Sequence, residues 1–121
     1  MGANARVKGQ AGEREVAKIF NDIVDEIREA RGLAELAQID KPFQRNQNQS
    51  AVGGDDLTNP YGLSIEVKNQ KALSTGVWWK QTLESAARPA GGIPILIYKI
   101  SRKGWHVIME PEALALYLDE S

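Results

Sequence analysis

Glu66 and Lys68 stand two residues apart in the segment Leu63-Ser64-Ile65-Glu66-Val67-Lys68, and on an extended strand that spacing puts both side chains on one face. Asp56 lies upstream, across the polar segment Asn59-Pro60-Tyr61-Gly62. Two carboxylates and an ammonium group suit one chemistry in particular. Carboxylate and carbonyl oxygens hold a hard divalent cation that keeps several waters and accepts phosphate oxygens. A neighbouring lysine can orient an attacking water or neutralise charge on a phosphorane-like transition state. These residue types therefore point to hydrolysis of a phosphodiester. A Glu-x-Lys triplet alone is common as a solvated salt bridge, so its meaning rests on the elements that position it.

The nearest such element is a hairpin. Pro60 suits the first central position of a type I turn and Gly62 the left-handed residue that closes a three-residue loop. Asn59 then faces Leu63, Thr58 faces Ser64 and Asp56 faces Glu66, while Leu57, Ile65 and Val67 take the other face. Two carboxylates opposed on a sheet face repel unless a cation or Lys68 compensates. Asp55 is expected to point to the face opposite Asp56. Further upstream, Val16, Ile19, Phe20, Ile23, Val24 and Ile27 recur at helical steps between Glu13 and Arg31, with Gly32 as the stop. Glu13 falls at the edge of that apolar stripe and leans toward the sheet, whereas Glu15 points outward.

The remaining elements complete the scaffold. Phe43-Gln44-Arg45 can begin a strand after Pro42, and the polar run Asn46 to Ser50 with Gly53-Gly54 reads as a loop. Val77 to Arg88 forms a second helix ended by Pro89, with one of Trp78 and Trp79 in the core and the other at an interface. Pro94 to Ile100 and Trp105 to Met109 make a second hairpin around Ser101-Arg102-Lys103-Gly104, and Pro111 opens a short closing helix carrying Leu114, Ala115 and Leu118. This order predicts an α/β fold, a central mixed sheet flanked by helices, as one domain over residues 1–121.

Composition narrows the chemistry further. The 121 residues contain no cysteine and one histidine, His106, and 42% are hydrophobic. Thiolate nucleophiles, sulfur-based zinc sites and histidine-rich metal sites are excluded, and a reducing cytoplasm is the natural setting. No apolar run approaches a membrane span. His106 reads as a structural residue of the late hairpin. The net charge of −1 argues against a protein that coats nucleic acid, so nucleic acid must be held locally. Arg6, Lys8, Arg14, Arg45, Lys71 and Lys80 flank the proposed site and are the candidate contacts.

These segments resemble the PD-(D/E)xK nuclease superfamily, and within it the archaeal-type Holliday junction resolvases and their phage relatives. Lys8-Gly9-Gln10-Ala11-Gly12-Glu13-Arg14-Glu15 is similar to that group's opening motif. Gly53-Gly54-Asp55-Asp56-Leu57 and Ile65-Glu66-Val67-Lys68 resemble its aspartate and Glu-x-Lys motifs, and Gly92-Ile93-Pro94-Ile95-Leu96 with Lys99 its next strand. The resemblance implies a restriction-endonuclease-like core with Asp56, Glu66, the Val67 carbonyl and, through water, Glu13 around a metal. It also implies Lys68 and Gln81 as catalytic partners. Asp55 stands where the motif often has proline, and Asp56, followed by the aliphatic Leu57, takes the ligand place.

The expected function is thus a Mg²⁺-dependent DNA endonuclease, with Mn²⁺ able to substitute, acting on branched DNA as a homodimer. The alternatives are a phage or mobile-element enzyme that nicks or cleaves duplex DNA in the host cytoplasm, and a non-catalytic nucleic-acid-binding subunit whose carboxylates are structural.

Overall fold

The computed structural model describes residues 2–35, 40–47, 55–89 and 91–115, with side chains from Lys8 onward. The chain runs through α1 (Gly2–Ala30), β1 (Gln44–Arg45), β2 (Leu57–Thr58), β3 (Leu63–Lys68), α2 (Thr75–Ala86), β4 (Ile93–Ile100), β5 (Gly104–Met109) and a 3₁₀ turn (Pro111–Ala113). The strands form one sheet in the order β1-β2-β3-β4-β5. All neighbours are antiparallel except β3 and β4, which run parallel. Parallel strands need a long crossover, and α2 provides it. The architecture is an α/β, restriction-endonuclease-like mixed sheet with a helix on each face.

The two faces follow from alternation along β3. Leu57, Ile65, Val67, Ile95 and Ile97 point to the face covered by α1 and join Val16, Ala17 and Phe43 in the main core. On the other face Leu96 is fully buried and α2 brings in Trp78 and Thr82. The rings of Trp78 and Tyr98 lie 6.1 Å apart. Trp78 is therefore the core anchor expected of the tryptophan pair, and Trp79 stays half-buried.

Helix α1 begins well before Glu13 and ends where expected. Gly32 N–H donates to Glu29 O and Leu33 N–H to Arg28 O, a pairing that satisfies the last carbonyls of a helix. Its apolar stripe is longer than the sheet beneath it. Phe20 and Val24 pack against the core, but Ile23 and Ile27 remain 47% and 46% exposed, because β1 and β2 are two residues long and cover little of the helix's later turns. The late hairpin has the expected strands, with Tyr98 opposite His106 and Ile100 opposite Gly104. The expected closing helix opens as a 3₁₀ turn at Pro111–Ala113 and is α-helical at residues 114–115, and Leu118 lies outside the described residues. So do Asn48 to Gly54 of the expected loop. No described helix is long and apolar enough to cross a membrane.

Candidate active site

The turn between β2 and β3 fixes everything downstream of it. Asn59 Oδ1 accepts the N–H groups of Tyr61 (2.9 Å) and Leu63 (3.3 Å), and its Nδ2 donates to Leu63 O (2.9 Å). Gly62 takes the left-handed φ of 74° that closes the loop. Leu57 then pairs with Ile65, which is the register the loop length predicts, and Asp56 comes beside Glu66. There the ladder gives way. Asp56 N–H donates to Ile65 O at 2.8 Å, and Asp56 Oδ2 accepts the Val67 N–H at 2.7 Å. The N–H and C=O of one strand residue leave by the same edge, so the Val67 carbonyl is directed to the edge where Asp56 sits.

Glu13, Asp56 and Glu66 are all buried, each 8% exposed. Asp56 lies close enough to Glu13 and Glu66 to interact with both. Burial holds the Asp56 carboxyl above the usual range, against the opposing pull of the Val67 N–H and the Lys68 charge. Glu66 is pushed up to about 8, first by burial and then by the Asp56 charge, with Lys68 again opposing. Buried carboxyls whose proton affinity is raised, as at Asp56 and Glu66, are groups a cation can take over by displacing the proton. Among the described residues no three or more carboxylate or imidazole side chains form a ready-made metal cage. Mg²⁺ does not require one, since one or two carboxylates with waters and substrate phosphates suffice.

A pH dependence of stability follows. A carboxyl whose folded pKa is raised contributes most below its ordinary value of 4.5, and that contribution is lost as pH rises through about 8. Metal-free protein is therefore expected to melt lower at pH 8.5 than at pH 6, by on the order of 5 °C. Mg²⁺ should recover most of the difference. Differential scanning fluorimetry in chelator and in Mg²⁺ measures this, and a flat profile in chelator would show that Glu66 is ordinary.

Helix α1 delivers Glu13 by close approach. A Cβ on Gly12 would fall 2.9 Å from Asn69 Cβ and 3.3 Å from the Trp105 ring, so only glycine lets the helix lie this near the end of β3. Glu13 also meets Arg45, with 3.6 Å between guanidinium and carboxylate. An open cavity of about 450 Å³ results, lined by Glu13, Asp56, Val67 and Lys68 together with Lys8 and Lys71. The half-buried Lys68 is the cation nearest the acids in effect, since its charge acts on both Asp56 and Glu66.

The family model described as "Phage putative PDDEXK endonuclease" matches residues 4–120, nearly the whole chain. The chain belongs to this family. No curated protein matches it.

Within the candidate site two residues differ from their expected places. Gln81 is exposed on α2, and the residue that reaches the acids is Ser85, one turn further on, whose Oγ donates to Glu66 Oε1 at 3.3 Å. The signal for Ser85 was present in the helical spacing, because Trp78, Thr82 and Ser85 fall at i, i+4 and i+7 on the buried face. Asp55 does not turn to the α1 face. Arg88 at the end of α2 holds it through contacts of 3.0 Å to each carboxylate oxygen. Strict alternation fails there because β2 starts only at Leu57. Asp55→Asn is accordingly expected to keep cleavage within about threefold and to lower stability by about 1 kcal/mol, as loss of a partly exposed ion pair does. Paired rate and melting measurements check this, and an inactive but stable variant would reverse the roles of the two aspartates.

The candidate nucleic-acid contacts separate spatially. Lys8 and Lys71 line the carboxylate cavity, while Arg14 and Arg45 line an adjoining cleft. Lys80 is exposed on α2, on the far side of the sheet from α1. The side chain of Arg6 lies outside the described residues.

Proposed function

We propose that this PDDEXK family member is a Mg²⁺-dependent DNA endonuclease. The observation that carries the reading is the set of buried carboxyls Glu13, Asp56 and Glu66, of which Glu13 and Asp56 line an open cavity together with Lys68. A stable fold does not collect buried carboxyls without a compensating use. Asp56, Glu66 and the Val67 carbonyl would hold the cation, with Glu13 behind them. When bound, Mg²⁺ (or Mn²⁺) supplies charge neutralisation at the scissile phosphate and activation of water. Asp56 is kept oriented by the Val67 N–H, and Ser85 orients Glu66. Lys68 places a positive charge at the cavity, where it orients the attacking water or steadies the transition-state charge.

The resolvase-like motifs favour branched DNA as substrate. Paired nicks across a four-way junction require two sites, hence a symmetric homodimer. Membership of a phage endonuclease family favours the second reading, nicking or cleavage of duplex DNA in the host cytoplasm. Four-way junction, nicked and linear duplex, single-stranded DNA and RNA, each with Mg²⁺ and with chelator, separate these readings. The expected result is metal-dependent cutting of DNA, fastest on the junction. Absence of cutting on every probe with Mg²⁺ or Mn²⁺ would sink the enzyme and favour a non-catalytic binding subunit.

A further inference from the structure

Next to the carboxylate cavity lies a larger cleft of about 570 Å³ between the middle of α1 and β1, lined in part by Arg14, Lys18, Asp22, Lys41 and Arg45. Four of its lining side chains are cationic and one is anionic, in a chain whose net charge is −1. The near-neutral total thus conceals a local excess of basic side chains along this cleft, and such an excess concentrates counter-charge. Its walls are fixed relative to each other. Buried Asn21 of α1 donates through Nδ2 to Phe43 O and accepts the Phe43 N–H at Oδ1, both at 2.9 Å, and the Phe20 and Phe43 rings pack 5.1 Å apart.

The cations are steadied without being sequestered. Lys18 pairs with Asp22 at 2.8 Å with the two side chains 77% and 55% exposed, and Lys41 pairs with Asp25 at 2.8 Å. The solvent-exposed Lys18–Asp22 pair is worth at most about 1 kcal/mol, so a phosphate can share or displace its carboxylate. The cleft also adjoins the site. Arg45 lines it and at the same time touches Glu13, which lines the carboxylate cavity.

We propose that this α1–β1 cleft is the track for the DNA phosphate backbone flanking the scissile bond. Arg14, Lys18 and Lys41 contact phosphates there, and Arg45 stands where the track enters the site. The proposal rests on the nuclease reading above. Two of these residues, Lys18 and Lys41, carry no signal in the sequence beyond their charge.

Anisotropy titrations of labelled linear duplex and four-way junction in chelator, at several salt concentrations, read binding without cleavage. The triple variant Arg14→Gln, Lys18→Gln, Lys41→Gln is expected to bind at least tenfold more weakly, and the slope of log affinity against log salt should fall by about 2 to 3. The charge-conserving triple Arg14→Lys, Lys18→Arg, Lys41→Arg should bind as wild type does. Arg31→Gln, at the distal end of α1, should change neither quantity. A Gln triple that melts and binds like wild type overturns the track while leaving the nuclease reading intact. Loss confined to Lys80→Gln moves the track to α2 and also overturns it. A wild-type chain that neither binds nor cuts any probe overturns both.

Discussion

Asp56→Asn is expected to reduce Mg²⁺-dependent cleavage by at least about a thousandfold, roughly 4 kcal/mol of barrier, while leaving the metal-free protein as stable as before or more so. The two effects have one cause. Asparagine has the same shape and retains an oxygen for the Val67 N–H, which Asp56 Oδ2 now accepts at 2.7 Å, so the anchor to β3 survives. What disappears is a buried negative charge, the one that helps push the Glu66 carboxyl up. Without it the acids no longer compete for protons, and the folded state is relieved of repulsion. The oxygen set for the cation is broken in the same step. Single-turnover cleavage, melting temperature and calorimetric titration with Mn²⁺ together test this. Retained cleavage, or a variant that loses stability in proportion to its activity, would make Asp56 a structural residue.

Lys68→Ala is expected to lower the cleavage rate at saturating substrate by about a hundredfold or more without weakening Mg²⁺ binding. Lys68 lies on the strand face that carries Glu66 and lines the cavity, and its positive charge opposes the upward shifts of Asp56 and Glu66. Removing it therefore makes the site more negative, which favours a cation, while taking away the group that would steady charge on the phosphate. Separate titrations of metal affinity and of the maximal rate distinguish this from a packing role. Equal losses of metal affinity and rate would show Lys68 to be a scaffold for the acids.

Much of the site was legible in the sequence because its geometry is local. The Asn59 to Gly62 turn has a loop length and a left-handed glycine that leave one register, so the adjacency of Asp56 and Glu66 follows from neighbouring residues. The period of two along β3 likewise separated Glu66 and Lys68 from Ile65 and Val67, and helical periodicity put Glu13 at the inner edge of α1. Where the prediction strayed, a long-range contact had overridden the local rule. Asp55 left its alternation because Arg88, on another element, holds it. Ser85 rather than Gln81 meets Glu66 because the depth at which α2 lies on the sheet is set by Trp78 and Thr82. The parallel pairing of β3 with β4 joined two strands that have a whole helix between them.

The sequence by itself determined the chemical inventory: oxygen donors without sulfur, one Glu-x-Lys strand, and a turn that brings an aspartate to it. Turn geometry and strand alternation are steric properties of a few adjacent residues, so they can be read in one dimension. The tertiary structure decided that these acids are buried together, which raises the proton affinity of Asp56 and Glu66. It also decided that Gly12 lets Glu13 approach them, and that a near-neutral chain gathers four of its basic side chains, Arg14, Lys18, Lys41 and Arg45, in one cleft beside Glu13. Burial, proton affinity and the sign of a local field depend on which distant segments close over a group, and only the packed sheet and helices specify that.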